Sequence, residues 1–536
     1  MNTSFRTFNI ATNIWVALLV LPMLVVLLSW LQPQWQQWQH LLDTFFAEYV
    51  TNTILLAVGV GFFSCVFAVL PAWWVSQYHF PLRRFFNWAL LLPLAIPSYI
   101  GAYVYVGLLD FAGPIDRLLS SIGLSGSQYL PDIQNLFGTC VVMSLVLYPY
   151  VFAIAKVSFS SQSANYRKVA QSNGFSESKF FTKLALPMAL PAILAGTSLT
   201  MMEAMADFGT VEYMGVVTFT TGIFRTWYGM NNIAAASQLA STLVLFVIIL
   251  LALERWSRRK QRYFSNTSAG YQRINLSRGK ALTISSALTC LFLIAFITPL
   301  SLLGYWGYLS LQSGFDMRLL GQIKNTFLVA GTAALIIVMG ALLLCYCARL
   351  KPGKWAQTKL QLVGSGYAFP GTVIAVGSVM ALGWLDHRIN DVFIWFNDKP
   401  VGLVLSGSAF ALVFAYTVRF STVGLHYIQN GLERITPSID NAARSLGANQ
   451  STLLWRVHLP LLRGSALMAL LVVFVDIIKE LPATLILRPF NFDTLAVKTY
   501  EFAKDERLTD AAVPALLIIL VSLIPVLVIS KMQSEK

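Results

Sequence analysis

Two pairs of acidic residues lie inside long apolar stretches of this sequence. Glu203 and Asp207 are four residues apart, as are Asp476 and Glu480, so each pair would share one face of a helix. Ionisable side chains inside a membrane are costly, and they usually face a pathway or one another. We therefore predict either an acidic lining that favours the passage of a cation or an interhelical clamp of hydrogen bonds and ion pairs. Lys479 stands beside Glu480 and is predicted to neutralise part of the second pair.

A tight metal site and enzymatic chemistry are both disfavoured. No histidine or tyrosine cluster accompanies the carboxylates, and no nucleophile–base or metal-ligand cluster is apparent. The phosphate-binding sequence Gly-x-x-x-x-Gly-Lys-Ser/Thr is absent, because Arg278-Gly279-Lys280-Ala281 lacks its glycine spacing and its hydroxyl. We predict no catalytic residue, no cofactor, no resident metal and no ATP hydrolysis by a P-loop within this chain.

The elements that must position these acids are membrane-spanning helices. Of the 536 residues, 56% are hydrophobic and only 12% are charged, whereas soluble domains are usually about a quarter charged. The apolar blocks have the length that a helix needs to cross the hydrocarbon core, about 20 residues. We predict an all-α integral membrane protein of twelve transmembrane helices. The predicted spans lie near 13–31, 52–75, 88–109, 136–157, 188–207, 234–253, 281–304, 325–347, 360–384, 401–424, 464–484 and 511–531.

The net charge of +14 does not indicate a nucleic-acid partner. Lysines and arginines gather in short connections between the apolar blocks, as the positive-inside bias predicts for a protein whose surroundings are a lipid bilayer. The connection from Arg255 to Lys280 is strongly basic, whereas the opposite loop from Phe111 to Asn135 contains only Arg117. We therefore predict that both termini and the basic connections are cytoplasmic.

The chain contains an internal duplication. The stretch from Asn165 to Pro187 corresponds to the stretch from Ser438 to Pro460, and the offset of 273 residues also relates Gly174 to Gly447. Both acidic pairs keep the same offset. A shared register over so much of the chain indicates two similar halves. Six spans in each half make this a parallel repeat.

The duplication and the basic connections divide the chain into five predicted segments. Residues 1–48 form the first span and a periplasmic connection, 49–255 the first transmembrane repeat, 256–280 a basic cytoplasmic linker, 281–321 the seventh span and a periplasmic connection, and 322–532 the second transmembrane repeat. The linker contains the polar run from Ser265 to Gly270, which is typical of a flexible joint.

The two repeated loops are predicted to be docking elements. In the second copy, Ala442 and Ala443 form a small-residue helix face, Gly447 ends that helix, and Leu459 and Pro460 open the next span. The matching residues of the first copy are Val169, Ala170, Gly174, Leu186 and Pro187. A short helix with a small-residue face can sit deep in a groove on a partner. One copy alone would favour an ordinary surface connector, but two copies at a fixed offset favour docking.

Several polar and proline residues are expected to shape the spans. Pro97, Pro149 and Pro370 lie inside apolar blocks, where proline bends a helix and frees backbone carbonyls. Pro97 and Pro370 correspond across the repeat and are candidate hinges, with fixed packing kinks as the alternative. Asn52 and Asn325 begin matching spans, and we predict that they cap helix N-termini in preference to making gate contacts.

The repeated loops resemble a motif of ABC-importer permeases that reads Glu-Ala-Ala, three residues, Gly, nine residues, Ile-x-Leu-Pro. The motif falls here on Lys168 to Pro187 and on Asn441 to Pro460, so both copies lack its glutamate. In that family the loop is the coupling helix that docks onto the ATPase subunit. The resemblance therefore implies the type I ABC importer fold, two copies of a cytoplasmic ATPase subunit and a periplasmic substrate-binding protein.

Three further segments resemble the fused permeases of bacterial ferric-iron importers. They are Leu147 to Val151, Asp207 to Val211 and Lys479 to Ala496. The resemblance implies transport of ferric iron across the inner membrane by ATP-driven alternating access, and it leaves thiamine, polyamines and phosphonates open as substrates. A proton-coupled secondary transporter is the alternative from a different class, but it gives no reason for two matched cytoplasmic loops.

Overall fold

The computed structural model describes residues 3–111, 113–124, 130–162, 164–258, 273–314, 316–397 and 399–534, and this part of the chain is almost entirely helical. The centre of the predicted linker, residues 259–272 with its polar run, lies outside the described residues. Long apolar runs form helices here because, in lipid, every backbone polar group must be paired within its own segment.

The first half of the chain supplies thirteen of the described helices. They are α1 (Thr3–Leu28), α2 (Trp35–Thr44), α3 (Phe46–Gln77), α4 (Arg83–Ala89), α5 (Ser98–Leu109), α6 (Pro114–Ser121), α7 (Leu136–Ser160), α8 (Ala164–Ser172), α9 (Glu177–Phe180), α10 (Leu186–Ala206), α11 (Gly209–Tyr213), α12 (Phe219–Tyr228) and α13 (Ile233–Arg258). Asn135 caps α7 by accepting a hydrogen bond from the Gly138 N–H at 2.9 Å.

The second half supplies twelve described helices. They are α14 (Arg278–Phe292), α15 (Thr298–Gln312), α16 (Arg318–Leu350), α17 (Lys354–Gly364), α18 (Gly371–Asn397), α19 (Ala409–Glu433), α20 (Pro437–Ser445), α21 (Gln450–Thr452), α22 (Leu459–Ile478), α23 (Pro482–Leu487), α24 (Leu495–Lys504) and α25 (Leu508–Ser534). Ser408 caps α19 through the Phe410 N–H at 3.3 Å, and the tenth span therefore begins later than predicted.

Short irregular segments complete the described secondary structure. Three 3-10 segments cover Ser29–Leu31, Leu92–Ala95 and Gly366–Ala368, and three π-helical segments cover Phe181–Ala185, Leu293–Ile297 and Leu453–His458. The described residues contain one strand pair, in which β1 (Tyr78–His79) lies parallel to β2 (Ile274–Asn275).

The helices agree with the predicted number of spans. Within the described residues, ten helical segments are long and apolar enough to cross a membrane, and the number is twelve if each of two bent pairs counts as one span. Each predicted span coincides with one of these segments. The all-α prediction is confirmed.

The two bent pairs break at the matched prolines. The pairs are Arg83–Ala95 with Ser98–Ser121, bent by 92°, and Lys354–Ala368 with Gly371–Phe396, bent by 113°. Pro97 and Pro370 lie in the breaks, because proline lacks an N–H and disfavours the helical conformation of the residue before it. The third span of each half is therefore interrupted, whereas Pro149 lies within the continuous helix α7. Hinge motion at the breaks stays a prediction.

The helices group into two compact units, which we name after the repeat that supplies most of each. The N-repeat unit comprises Thr44–Thr221, Leu245–Phe315 and Thr499–Lys536, and the C-repeat unit comprises Met1–Asp43, Gly222–Val244 and Asp316–Lys498. Within the N-repeat unit α3 packs against α7 and α10, and α15 packs against α25. Within the C-repeat unit α16 packs against α19 and α22, and α1 packs against α18. The five predicted segments follow the sequence repeat and stay a prediction.

Asn52 and Asn325 do not cap helices, because α3 and α16 both begin more than one turn earlier. Asn52 Nδ2 donates to the Val217 carbonyl at 2.9 Å, and Asn325 Nδ2 donates to the Asp493 carbonyl at 3.2 Å. The N-capping prediction is therefore wrong for both residues. Each asparagine instead ties the second span of its half to the loop that follows the fifth span.

The adjacent threonines strengthen the same connection. Thr53 Oγ1 accepts a hydrogen bond from the Phe219 N–H at 3.2 Å, and Thr326 Oγ1 accepts one from the Leu495 N–H at 2.9 Å. The two threonine hydroxyls and the two backbone N–H groups are buried. Each bond therefore satisfies a backbone donor that is shielded from solvent. The Asn-Thr pair is a repeated structural clamp.

Candidate functional site

The acidic residues predicted on the fifth spans lie at or near the C-terminal ends of those helices. Asp207 and Glu480 follow one or two residues after α10 and α22 end, so they are not helical. The prediction that each pair shares one helix face is therefore wrong, because only Glu203 and Asp476 lie within a helix. After Asp207 and Glu480 the chain continues into the short helices α11 and α23.

In the C-repeat unit, Glu480 forms a buried ion pair with an arginine of α19. Arg419 Nη1 lies 2.7 Å from Glu480 Oε1, and the two side chains are only 9% and 5% exposed. Glu480 Oε1 also accepts a hydrogen bond from the Ala483 N–H at 3.1 Å, and the Thr484 hydroxyl donates to the Glu480 carbonyl at 2.6 Å. These contacts fix the first turn of α23 against α19. Removing one partner of such a pair is costly because the other charge stays buried.

Room for this ion pair depends on Gly371, the first residue of α18. A Cβ atom at that position would overlap both Arg419 Nη1 and Glu480 Oε1. Arg419 was not among the residues predicted from the sequence, although a lone arginine in an apolar span is a signal of a buried partner. The structure therefore adds Arg419 and Gly371 to the site.

The second acid of this half also has a basic neighbour. Lys479 Nζ lies 3.8 Å from Asp476 Oδ1, and both side chains are partly exposed. Lys479 thus faces Asp476, while Glu480 is paired with Arg419. Each acid at this end of α22 is accompanied by a cation.

In the N-repeat unit, Asp207 is held by neutral donors. Its carboxylate accepts hydrogen bonds from the Thr210 N–H at 2.7 Å and the Thr210 hydroxyl at 2.9 Å, and the Ser98 hydroxyl is a further partner. The Thr220 hydroxyl donates to the Asp207 carbonyl at 2.7 Å. Glu203 lies close enough to Asp207 for the two carboxylates to repel one another. The structure therefore brings both acids of the first pair together.

The two acid sites correspond in position but differ in chemistry. Under the offset of 273 residues the corresponding residues are Ser98 and Gly371, Val146 and Arg419, and Asp207 and Glu480. The half that carries the arginine has a glycine where the other half has a serine, so the space and the partner change together. Within the described residues, no group of three His, Cys, Asp or Glu side chains is placed to hold a metal ion.

The first repeated loop is anchored to the end of α3 by Arg167. Arg167 Nη2 lies 3.2 Å from Glu177 Oε2, and the guanidinium group lies over the rings of Trp73 and Phe180 at 5.5 and 5.1 Å. The Tyr78 hydroxyl donates to Glu177 Oε2 at 3.1 Å. Burial, followed by the nearby Glu177 carboxylate, raises the pKa of Tyr78 to about 12, so this hydroxyl stays a donor.

The second repeated loop is anchored by Asp440, which occupies the position of Arg167. Arg349 Nε lies 2.8 Å from Asp440 Oδ2, and His458 Nε2 lies 2.8 Å from Asp440 Oδ1. Arg349 also donates to the carbonyls of Leu432 and Ile435 at 2.7 and 2.8 Å. Burial alone would raise the pKa of Asp440, but the hydrogen bonds from Arg349 and His458 hold it below its ordinary value.

Both loop helices end in the predicted left-handed glycine. Gly174 has a φ of 71° and Gly447 a φ of 82°, and their N–H groups donate to the carbonyls of Gln171 and Arg444 at 3.0 and 2.9 Å. A Cβ atom at either glycine would meet no atom within 4 Å, so the turns face open space. The backbone conformation, and not a lack of room, selects glycine here.

The loop helices carry apolar side chains on their outer surfaces. In the second copy Leu446 is 89% exposed, Ala442 is exposed and Ala443 is half-buried. In the first copy Val169 is 59% exposed, but Ala170 is buried. Ala170 therefore packs inward and does not belong to the outer face predicted from the sequence.

The two Leu-Pro pairs, at 186–187 and 459–460, begin α10 and α22 as predicted. No break separates them from the loops, because a π-helical segment precedes each pair. The resulting helical segments run without interruption over Glu177–Ala206 and Gln450–Ile478. Each repeated loop is thus continuous with the helix whose far end carries the acids.

Comparison with known proteins gives consistent matches. The profile of binding-protein-dependent transport system inner membrane components matches residues 64–263 and 340–534. The chain is 26% identical over 494 residues to the Fe(3+)-transport system permease protein FbpB 2 of Haemophilus influenzae, which covers 90% of each chain. It is 22% identical over 453 residues to the ferric transport system permease protein FbpB of Actinobacillus pleuropneumoniae, covering 80% of this chain and 62% of that protein. It is 24% identical over 240 residues to the sulfate transport system permease protein CysT of Salmonella typhimurium, covering 44% of this chain and 84% of that protein.

Proposed function

Because this chain belongs to the family of binding-protein-dependent transport system inner membrane components, we propose that it forms the path by which ferric iron crosses the inner membrane in an ATP-driven importer. The chain is a multi-pass permease subunit and not itself an enzyme. In this proposal two ATPase subunits supply the energy, and a periplasmic binding protein delivers the substrate.

The choice of substrate rests on relatives that match both halves of this chain. The two relatives named for ferric iron align with 90% and 80% of this chain, whereas the sulfate permease aligns 84% of its own length with 44% of this chain. The acid site of the first half also supports a cationic substrate. The hydrogen bonds to the Asp207 carboxylate come from the neutral N–H and hydroxyl groups of Thr210, and a carboxylate attracts a cation and repels an anion such as sulfate.

The two repeated loops are the proposed docking sites for the ATPase subunits, one subunit for each loop. Their outward apolar side chains, including Val169 and Leu446, suit a groove on a partner, since a short amphipathic helix binds through its apolar face. The anchors at Arg167 and Asp440 hold each helix in place before docking. Docking at both loops would place both termini on the ATPase side of the membrane.

A continuous helix supports mechanical coupling between the ATPase and the acids. The segment Glu177–Ala206 has 30 residues, which is about 45 Å at a rise of about 1.5 Å per residue. A displacement of either loop would therefore be transmitted along a fifth span to its acid site. Alternating access follows if closure of the ATPase subunits moves both loops together, with the breaks at Pro97 and Pro370 as the flexible points.

Uptake of radiolabelled ferric iron by iron-starved cells tests this proposal. The double variant Gly174→Asp and Gly447→Asp places a charge on both docking turns without overlapping any atom. Gly123→Asp is the matched control, because Gly123 also has a positive φ, of 80°, and open surroundings, but lies outside the loops. Excess sulfate, thiamine or spermidine is added in parallel to test the competing substrates.

We expect the double variant to reach the membrane at the normal level, to lose iron uptake and to lose the ATPase subunit during co-purification. The control variant should keep both. Full uptake in the double variant would contradict docking and favour a proton-coupled carrier. If the wild type moves no iron, or if one competitor abolishes uptake, the choice of iron is wrong although the permease family stands.

A further inference from the structure

A cavity opens beside the lysine-rich connection between α16 and α17 of the C-repeat unit. Its volume is about 630 Å³, and it is lined by the start of α1, the last turns of α16 and the first turns of α17. None of its lining residues belongs to the acid site or to the loop helix α20. The cavity is therefore a separate feature of this unit.

The lining of the cavity is strongly basic. Lys351, Lys354 and Lys359 contribute three positive charges, and no residue that lines the cavity carries a negative charge. Lys359 is held in place, because its Nζ donates to Asn9 Oδ1 at 2.8 Å. Asn9 and Asn13 add side-chain amides that can donate hydrogen bonds. This combination suits a phosphate group, which carries negative charge and several acceptor oxygens.

The remaining wall of the cavity is apolar. Leu344 and Cys347 lie on the buried side of α16, and Trp355 at the start of α17 is 81% exposed. Tryptophan is enriched where a membrane protein meets the lipid headgroups. A free phosphate ion would leave this apolar wall unused, whereas a phospholipid would contact it with its glycerol and first acyl carbons.

The three lysines are specific to the second half. The corresponding positions of the first half are Tyr78, Pro81 and Phe86. There the chain forms strand β1, and the side chains of Tyr78 and Phe86 are buried. The basic cavity is thus not a property of the repeated fold, and the lysines are not required to form this connection.

We infer that this cavity binds the phosphate group of an anionic phospholipid from the leaflet on its side of the membrane. Lys351 and Lys354 attract the phosphate, Lys359 and the two asparagines orient it, and the apolar wall with Trp355 contacts the lipid body. Basic pockets between membrane helices are well suited to anionic headgroups, and each lysine near the surface contributes about a fivefold gain in affinity.

Native mass spectrometry of the full chain in detergent tests this inference, with phosphatidylglycerol as the probe and phosphatidylcholine as the zwitterionic comparison. The variant Lys351→Gln with Lys354→Gln removes two exposed charges, and Lys280→Gln removes one exposed charge outside the cavity as the control. A second variant, Ala348→Leu, fills part of the apolar wall and leaves every lysine in place. Soluble glycerol 3-phosphate and inorganic phosphate are tested as competitors.

We expect one tightly bound phosphatidylglycerol in the wild type, about a twenty-five-fold loss of affinity in the double lysine variant and less than a twofold change in the control. Ala348→Leu should also weaken binding, which separates a filled cavity from a lost charge. Equal affinity for phosphatidylcholine, or equal binding by wild type and double variant, overturns the inference. Binding of inorganic phosphate as tight as that of the lipid overturns its lipid part and makes this a free-anion site.

Discussion

The acid site of the first half and that of the second half occupy corresponding positions, but the groups that hold the carboxylates differ in charge. Asp207 is held by hydroxyl and backbone donors, whereas Glu480 is neutralised by the buried guanidinium of Arg419. The two halves therefore share the position of an acid at the end of the fifth span, but they do not share a basic partner for that acid. A pathway that uses these acids to attract a cation would draw mainly on the first half.

The repeated loops show the same divergence. Arg167 and Asp440 are corresponding residues of opposite charge, and each is anchored by partners that suit its own sign. The ion-pair partners differ in place: Glu177 belongs to the first loop itself, whereas Asp440 is held both by Arg349 of the long helix α16 and by His458 of the second loop. The two loops keep one backbone shape with two independent sets of side-chain contacts, so they need not respond equally to one change.

Breaking the buried ion pair should give the largest effect. Arg419→Met leaves Glu480 charged and buried without its partner, and we expect the free energy of unfolding to fall by about 3–5 kcal/mol. Val146→Met at the corresponding position adds only volume and should cost about 1–3 kcal/mol. Thermal unfolding of the purified protein measures both. The double variant Arg419→Met with Glu480→Gln should recover much of the loss, and equal costs for the two single variants would contradict this account of the pair.

Exchanging the serine and the glycine between the halves should have a somewhat smaller effect. Gly371→Ser places atoms against both members of the ion pair, with an expected loss of about 2–3 kcal/mol from overpacking. Ser98→Gly removes one hydroxyl partner of Asp207 and should cost about 1 kcal/mol. The same melting experiment compares them. A larger loss of stability from Ser98→Gly than from Gly371→Ser would show that the limited room beside the ion pair is not what requires glycine at position 371.

The anchor of the second loop should open in acid. Because the pKa of Asp440 is lower in the folded protein than its unfolded value of about 3.9, its stabilising effect is complete above about pH 4 and is lost as the pH falls through the folded pKa. Hydrogen bonds to a charged group of this kind contribute about 2 kcal/mol. Hydrogen exchange should therefore accelerate in residues 437–458 below about pH 4.

Two comparisons check this pH dependence. Asp440→Asn should loosen the loop at neutral pH and remove its response to acid. The first loop should respond less, because Arg167 keeps its contacts with the rings of Trp73 and Phe180 at every pH in this range. An acid response that persists in Asp440→Asn would assign it to another group.

Substitutions of the two helical acids, Glu203 and Asp476, should have the smallest effects, and these are effects on iron uptake. Glu203→Gln removes a negative charge beside Asp207, and we expect iron uptake to fall about tenfold, equivalent to about 1.4 kcal/mol. Asp476→Asn should reduce uptake less, because Lys479 already offsets that charge at 3.8 Å. Uptake assays at matched membrane levels decide between them. Unchanged uptake in both variants would favour the interhelical clamp over an acidic path.

Much of the helical framework follows from the sequence because membrane burial imposes a simple pattern. Each of the twelve predicted spans coincides with a helical segment, since about 20 apolar residues in lipid have no stable alternative to a helix. The left-handed turns at Gly174 and Gly447 were also predictable, since glycine readily adopts the backbone conformation that ends a helix.

The contacts within the sites were not predictable, because they join residues far apart in the chain. Arg419 and Glu480 are 61 positions apart, and nothing in their local sequence shows that one faces the other. Asn52 stands near the start of an apolar block, which favours capping, but its helix already begins at Phe46 and its partner is 165 positions away. Spacing of four residues likewise placed Asp207 on a helix that in fact ends just before it.

The interleaved composition of the two units has a consequence for how the protein is made. Helix α1 packs against α18, which begins more than 300 residues later, so the first helix enters the bilayer well before its neighbour exists. At roughly 10 residues per second, that interval is about half a minute of synthesis. Joining both halves in one polypeptide guarantees that the late helices emerge beside the early ones and keeps their effective concentration high. The fused chain thus converts what would be a search between two proteins into an ordered, intramolecular assembly.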